Sequence, residues 1–162
     1  MKIELKNIKV YTKLSEETNC YTASLYVDGK RIGYVANRGC GGPDEFDGDD
    51  GAYNRADKWL EENHPGVYVF DRHLTMNLEM YCAELVSDYL MLRELRSGLK
   101  KEVWFEMPGE TDLFRIKFKG EKQITDEHIR YVRNKHPEAV IYNELSINDA
   151  RARYTSFMRS NP

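Results

Sequence analysis

Alternating apolar and polar residues near the start of the chain predict a first β-strand with an irregularity. Ile3 and Leu5 alternate with polar neighbours, and Ile8 and Val10 do so in the opposite phase. A change of phase within one strand is typical of a β-bulge, in which one extra residue shifts the side chains to the other face. We therefore expect a bulged strand over residues 3–10.

The next alternating segments predict a hairpin. Residues 21–27 and 32–36 alternate between apolar and polar positions, and the dipeptide Asp28-Gly29 lies between them. Asp-Gly supplies the left-handed backbone conformations that a two-residue hairpin turn requires. The first three strands are therefore expected to form an antiparallel unit.

Two helices follow in the hydrophobic pattern. Residues 52–63 present apolar side chains on one helical face, and Pro65-Gly66 is expected to end that helix. From Leu74 onward, apolar residues recur at steps of three and four, which predicts a long central helix that Gly98 stops.

The remaining pattern predicts a second hairpin around Pro108-Gly109, a helix that begins after Thr125, a short strand over residues 140–142 and a last helix after Ser146. Strands and helices come in runs and do not alternate strictly, which favours the α+β class over a doubly wound sheet. We expect one α+β domain over residues 1–162. Its parts are an N-terminal three-stranded antiparallel unit, a long central helix, a second hairpin and a C-terminal αβα segment.

Composition supports a folded, cytoplasmic protein. The chain is 41% hydrophobic and 12% aromatic, which is enough apolar material for a core. No apolar run approaches the roughly 20 residues of a membrane span, and MKIELKNIKV lacks the apolar run of a secretory signal. Its three cysteines are widely spaced, so neither a disulfide framework nor a zinc site is indicated. We expect the protein to act in the cytoplasm.

Charge is distributed unevenly along the chain. Residues 44–94 carry 13 acidic and four basic residues, whereas residues 113–162 carry ten basic and six acidic ones. Two ordinary solvated faces would give the same counts, but each region is also a candidate for binding an oppositely charged partner.

The acidic excess begins in a glycine-rich segment, residues 38–51, which predicts a long, exposed loop that is mobile until a partner orders it. A phosphate loop is disfavoured because no GKS or GKT follows Gly42. A calcium loop counted from Asp47 would need Gly and Glu where Ala52 and Lys58 stand. We therefore expect no metal or cofactor, and we predict a protein-binding surface. Its candidate residues are Asp44, Glu45, Phe46, Asp47, Asp49, Asp50 and Tyr53.

Two other kinds of site remain open. Cys40 lies between glycines that can expose its thiol, although no histidine pattern marks a partner for a Cys-dependent enzyme. The basic C-terminal region is the alternative site for nucleic acid or a nucleotide, with affinity that falls steeply with salt. Its candidate residues are Arg115, Lys117, Lys119, Arg130 and Arg133.

The segments KIELKNIK, SEET, LYVDGK and GCGGP resemble the N-terminal signature of a family of small proteins from phages, prophages and gut-bacterial mobile elements. The resemblance implies a setting in which small proteins inhibit host defence systems, including CRISPR nucleases, and it implies no catalytic residue. The first hypothesis is therefore a non-enzymatic protein that blocks a bacterial defence factor by direct contact. The partner we expect is a bacterial protein such as a nucleic-acid-binding defence nuclease. A nucleic-acid or nucleotide binding module and a Cys40-dependent enzyme are the alternatives.

Overall fold

The computed structural model describes residues 1–69 and 71–160 and has the predicted α+β fold, with antiparallel sheets and four α-helices in the described chain. The chain divides into two compact units, Met1–Tyr89 and Leu90–Pro162. The division falls inside one long helix, and the single domain expected from the length of the chain stays a prediction.

The first unit is built on a four-stranded antiparallel sheet. Its strands are β1 (Ile3–Val10), β2 (Tyr21–Val27), β3 (Lys30–Asn37) and β4 (Glu45–Gly48), in the spatial order β1-β2-β3-β4. The first three strands are those predicted from the alternation. The sheet has a fourth strand beyond the three that were predicted, and this strand, β4, forms one edge of the sheet.

Backbone dihedral angles account for the bulge and the hairpin turn that the sequence predicts. The register of β1 against β2 shifts between Lys6 and Lys9, and Asn7 within the shift has a φ of 55°. The register shift confirms the predicted bulge. Asn7 suits this position because Asn tolerates the left-handed conformation better than most residues do. Asp28 and Gly29 also have positive φ values, 48° and 81°, as the predicted hairpin turn requires.

The glycine-rich segment is only partly a loop, which corrects the expectation for residues 38–51. Residues 45–48 form β4 and pair with β3, from Ala36 opposite Glu45 to Gly33 opposite Gly48. Helix α1 (Asp50–Asn63) begins two residues after that strand. Glycine content alone predicted irregular backbone, but pairing with the free edge of β3 outweighs this propensity.

A small hairpin precedes the long helix. Strands β5 (Val67–Val69) and β6 (Arg72–Leu74) pair with each other, so Leu74 lies in a strand and does not begin the helix as predicted. Helix α2 (Leu78–Lys101) begins after Asn77, whose Oδ1 accepts a hydrogen bond from the backbone N–H of Met80.

The prediction that Gly98 stops this helix is wrong, because α2 continues through it to Lys101. A Cβ on Gly98 would lie 2.1 Å from Cζ2 of Trp104. Gly98 is therefore needed for a close approach between the helix and an indole ring, and the helix accepts the modest cost of a glycine in its interior.

The second unit contains a three-stranded sheet with side chains packed on both faces. Strands β7 (Val103–Glu106), β8 (Leu113–Ile116) and β9 (Val140–Ile141) are antiparallel in the order β8-β7-β9, and helices α3 (Asp126–Lys135) and α4 (Ile147–Ser160) complete the unit. Trp104 packs with Leu95 and Tyr154 in one buried cluster. Phe105, its neighbour on the opposite face, packs with Val132 in another.

Among the described residues, no helix has both the length and the apolar character that crossing a membrane requires.

Candidate binding groove

A groove of about 430 Å³ opens on the first unit, where the loop between β3 and β4 meets the first turns of α2. Its volume is near the lower end of the roughly 300–1,000 Å³ typical of small-molecule pockets. Its wall is partly polar and partly apolar. The lining residues are Thr18, Asn19, Tyr21, Asn37, Gly41, Gly42, Pro43, Asp44, Glu79, Met80, Ala83 and Val86.

Asn37, at the end of β3, organises the polar floor of the groove. Its Oδ1 accepts hydrogen bonds from the backbone N–H of Gly39 and the hydroxyl of Thr18, each at 2.8 Å. Its Nδ2 donates to Oδ1 of Asp44 at 2.9 Å and to the carbonyl oxygen of Gly42 at 3.1 Å. Because the Gly39 N–H can only donate, the amide orientation is fixed, and Nδ2 must face Asp44.

Asp44 lies half-buried at one end of the groove. Its Oδ2 accepts a hydrogen bond of 2.5 Å from the Tyr21 hydroxyl. Its backbone N–H donates to Oε1 of Glu79 at 3.1 Å, which brings the start of α2 to the loop. Burial raises the pKa of the Asp44 carboxyl, the nearby charge of Glu79 adds to this, and the hydrogen bonds from Tyr21 and Asn37 oppose it.

Burial and negative charge act in the same direction on the groups around this carboxyl. Burial first, and the hydrogen bond to Asp44 second, raise the pKa of Tyr21. Burial likewise raises the pKa of the Cys82 thiol, and the charges of Asp44 and Glu79 add to it. Among the described residues that line the groove there is no Lys, Arg or His, so none of them balances the two carboxylates at its polar end.

The acidic residues predicted to bind a partner do not act as one loop. Asp44 lies in the groove, and Glu45 on β4 forms an ion pair of 2.7 Å with Arg38. Asp47 on β4 and Asp50 at the start of α1 are both exposed, and no ion pair reaches either of them within the described part of the chain. Asp44 thus joins the groove to an exposed acidic edge, which we define as Glu45, Asp47 and Asp50.

The other three predicted residues of this segment have structural roles. Asp49 is the N-cap of α1, and its Oδ1 accepts a hydrogen bond of 2.9 Å from the backbone N–H of Ala52. Phe46 packs against Tyr53, with ring centroids 5.4 Å apart. Tyr53 is only 8% exposed, and its hydroxyl lies where a Cβ on Gly33 would be. Its side chain belongs to the core of the first unit and not to the exposed edge.

Cys40 is exposed, as its glycine neighbours predict, and its Sγ lies 3.7 Å from the carbonyl oxygen of Arg38. None of the contacts of the described residues joins it to a histidine. In the same unit, His73 contacts the carbonyl oxygen of Pro65, and His64 packs edge-to-face against Tyr81. The structure therefore offers no general base for a thiol nucleophile among these contacts.

Two of the predicted basic residues are engaged by their own helix and its surroundings. Arg133 donates to Oε2 of Glu144 at 2.5 Å and to the carbonyl oxygens of Pro137 and Ala139, each at 2.8 Å. Arg130 donates to a backbone carbonyl one turn earlier in α3. Arg133 therefore ties α3 to the chain that follows it.

The other three basic residues lie on or just after β8. The guanidinium of Arg115 stacks over the Trp104 ring at 4.0 Å and lies 3.9 Å from a carboxylate oxygen of Glu94. Lys117 and Lys119 are exposed. The five residues do not form one continuous set of free cations, which weakens the support for a nucleic-acid interface here.

Sequence reasoning missed Asn37, Glu79 and Tyr21 as site residues. Asn37 did carry a signal, because Asn followed two residues later by Gly is typical of a turn closed by the Asn side chain. Glu79 carried none, since its contact with Asp44 spans 35 residues of sequence.

Within residues 1–69 and 71–160, no cluster of three His, Cys, Asp or Glu side chains is arranged to hold a metal ion. No family model matches the chain, and neither curated proteins nor solved structures give a match. The geometry of the groove and of the acidic edge is therefore what bears on function.

Proposed function

We propose that the protein is a non-enzymatic binding protein that contacts a basic surface of another protein through the acidic edge of its first unit. The observation that carries the proposal is the exposure of Asp47 on the edge strand β4 and of Asp50 at the start of α1, beside a groove that contains two more carboxylates. Concentrated charge of one sign steers association with an oppositely charged surface.

The partner we propose is a bacterial defence factor, such as a nuclease with a basic nucleic-acid channel. An acidic surface that occupies such a channel excludes the polynucleotide from it. The resemblance of residues 1–43 to small phage and mobile-element proteins supports this choice of partner.

The acidic edge has a second physical explanation that the experiment must separate. Charged side chains on an edge strand also discourage unwanted pairing with other chains, and this needs no partner at all. Lysine protects an edge strand as well as aspartate does, so reversing the charges would then leave both the aggregation of the protein and its binding to any specific protein unchanged.

The test uses the double variant Asp47→Lys/Asp50→Lys and leaves Asp49 unchanged, because Asp49 caps α1. The matched control is Glu61→Lys/Glu62→Lys, which changes the net charge equally on exposed positions of the same unit. Wild type and both variants are immobilised and exposed to bacterial lysates, and retained proteins are identified and purified for affinity measurements at two salt concentrations.

We expect a protein with a basic surface to bind wild type and the control, to lose affinity for the double variant, and to bind less tightly at high salt. Equal retention by the double variant and wild type would refute the role of the acidic edge.

A further inference from the structure

The groove beside the acidic edge has the composition of a site for one long cationic side chain. Its polar end contains the carboxylates of Asp44 and Glu79, and its apolar wall includes Met80, Ala83 and Pro43. An arginine or lysine side chain has the same division, with an apolar stem and a charged end.

The two carboxylates are held in place before any ligand arrives. Tyr21 donates to one oxygen of Asp44 and Asn37 donates to the other, while the backbone N–H of Asp44 donates to Glu79. A carboxylate oxygen can accept more than one hydrogen bond, so both groups keep acceptor capacity for a ligand. Because the geometry is fixed by the protein, a ligand would not have to pay for ordering these side chains.

Charge complementarity specifies the sign of the occupant. Burial raises the pKa of the Asp44 carboxyl, and the nearby charge of Glu79 adds a smaller repulsion in the same direction. A bound cation would relieve that repulsion, whereas an anionic ligand would increase it.

Resting on the proposed function, we infer that the groove receives the side chain of one arginine of the partner protein, with the guanidinium at Asp44 and Glu79 and the aliphatic stem along Met80 and Ala83. Arginine fits better than lysine because its planar guanidinium can donate to two carboxylates at once. It is also less strongly hydrated, which suits a half-buried site.

The test measures backbone amide shifts in the ¹⁵N-labelled protein during titration with a blocked Gly-Arg-Gly peptide. The matched ligands are the corresponding lysine peptide, the citrulline peptide, which keeps the shape without the charge, and free arginine. Glu79→Gln keeps the acceptor for the Asp44 N–H but removes the charge, and Glu84→Gln is its control at an exposed position of α2 outside the groove. Ala83→Phe fills the groove while both carboxylates remain.

We expect the arginine peptide to shift amides of the groove residues, with affinity at least about tenfold above that of the citrulline peptide. Glu79→Gln and Ala83→Phe should each weaken the binding several-fold, and Glu84→Gln should leave it unchanged. Equal binding of the arginine and citrulline peptides, or shifts outside the groove, would overturn the inference. Tighter binding of free arginine than of the peptide would also overturn it, because the occupant would then be a small molecule.

This outcome is separable from that of the proposed function. Suppose that the groove binds arginine specifically and that the partner binds equally well after the charges of Asp47 and Asp50 are reversed. The role of the acidic edge would then be refuted, and the role of the groove as an arginine site would stand. A partner that depends on that edge, together with no arginine preference in the groove, would refute only the groove.

Discussion

Asn37 provides the sharpest test of the polar floor of the groove, because one substitution replaces a donor with an acceptor and changes almost no volume. Asn37→Asp puts a carboxylate oxygen where Nδ2 now donates to Asp44 at 2.9 Å and to the Gly42 carbonyl at 3.1 Å. While the new side chain is ionised, rotation cannot restore the donor, since both of its oxygens are acceptors; only a proton shared between the two carboxyl groups supplies one again.

The free-energy cost can be bounded from this geometry. Two unit charges about 3 Å apart repel by roughly 5–6 kcal/mol at an effective dielectric constant near 20. Protonating one ordinary aspartic acid costs only about 4 kcal/mol at pH 7 and about 1.5 kcal/mol at pH 5. The folded variant therefore takes up a proton. The substitution then lowers the free energy of unfolding by no more than about 4 kcal/mol at pH 7.

The sign of the pH dependence follows from the proton uptake. The folded variant binds one proton more tightly than the unfolded chain does, so its stability falls as the pH rises toward neutrality. Asn37→Ala is the control, because it removes the same hydrogen bonds without adding a charge and should cost about 1–3 kcal/mol at either pH.

Urea unfolding of wild type and both variants at pH 5 and pH 7 measures these differences. At pH 7 we expect Asn37→Asp to have a lower free energy of unfolding than Asn37→Ala. At pH 5 this difference between the two variants should be smaller by about 2–3 kcal/mol. If the two variants are equally stable at pH 7, or if the difference between them is the same at both pH values, the fixed orientation of the Asn37 amide is refuted.

Three further predictions concern the fold around the site. Gly98→Ala should lower stability by up to about 2 kcal/mol in urea unfolding, because the clash with Trp104 outweighs a gain of about 1 kcal/mol in helix propensity; a net gain would contradict this packing. Cys40 should react with iodoacetamide much faster than Cys82 in the folded protein at pH 8, because Cys82 is buried and burial raises its pKa; equal rates without unfolding would be the contrary result. Asp49→Ala should cost about 1 kcal/mol in thermal unfolding and the Asn variant much less, since Asn keeps the capping oxygen; equal losses would exclude the cap.

The sequence predicted the fold well where local pattern and local backbone chemistry agree. The bulge in β1 appeared as a change of phase beside Asn7, and the β2–β3 hairpin was marked by Asp28 and Gly29. It failed where a tertiary contact overrides propensity. The local pattern predicts that Gly98 ends the helix, because the contact of Gly98 with Trp104 depends on tertiary packing that no local window contains.

The candidate site was predicted only in part for the same reason. The glycine-rich acidic segment was recognised, but its residues serve different purposes, and local pattern does not distinguish the capping Asp49 from the exposed Asp47. The contact between Asp44 and Glu79 joins two segments far apart in sequence, so the groove exists only once the chain is folded.

The central claim is that the groove face of the first unit is the surface that meets a partner protein. The most direct measurement places a photo-crosslinking amino acid at Asn19, an exposed residue of the groove lining, and a second one at Glu61 on α1 as a control. After irradiation in bacterial lysate, mass spectrometry identifies the cross-linked protein and the attached peptide. The account predicts one protein captured from position 19 but not from position 61, with the cross-link close to an arginine on a basic surface. Capture of a partner from position 61 alone, or cross-links from position 19 to an acidic surface, would contradict it.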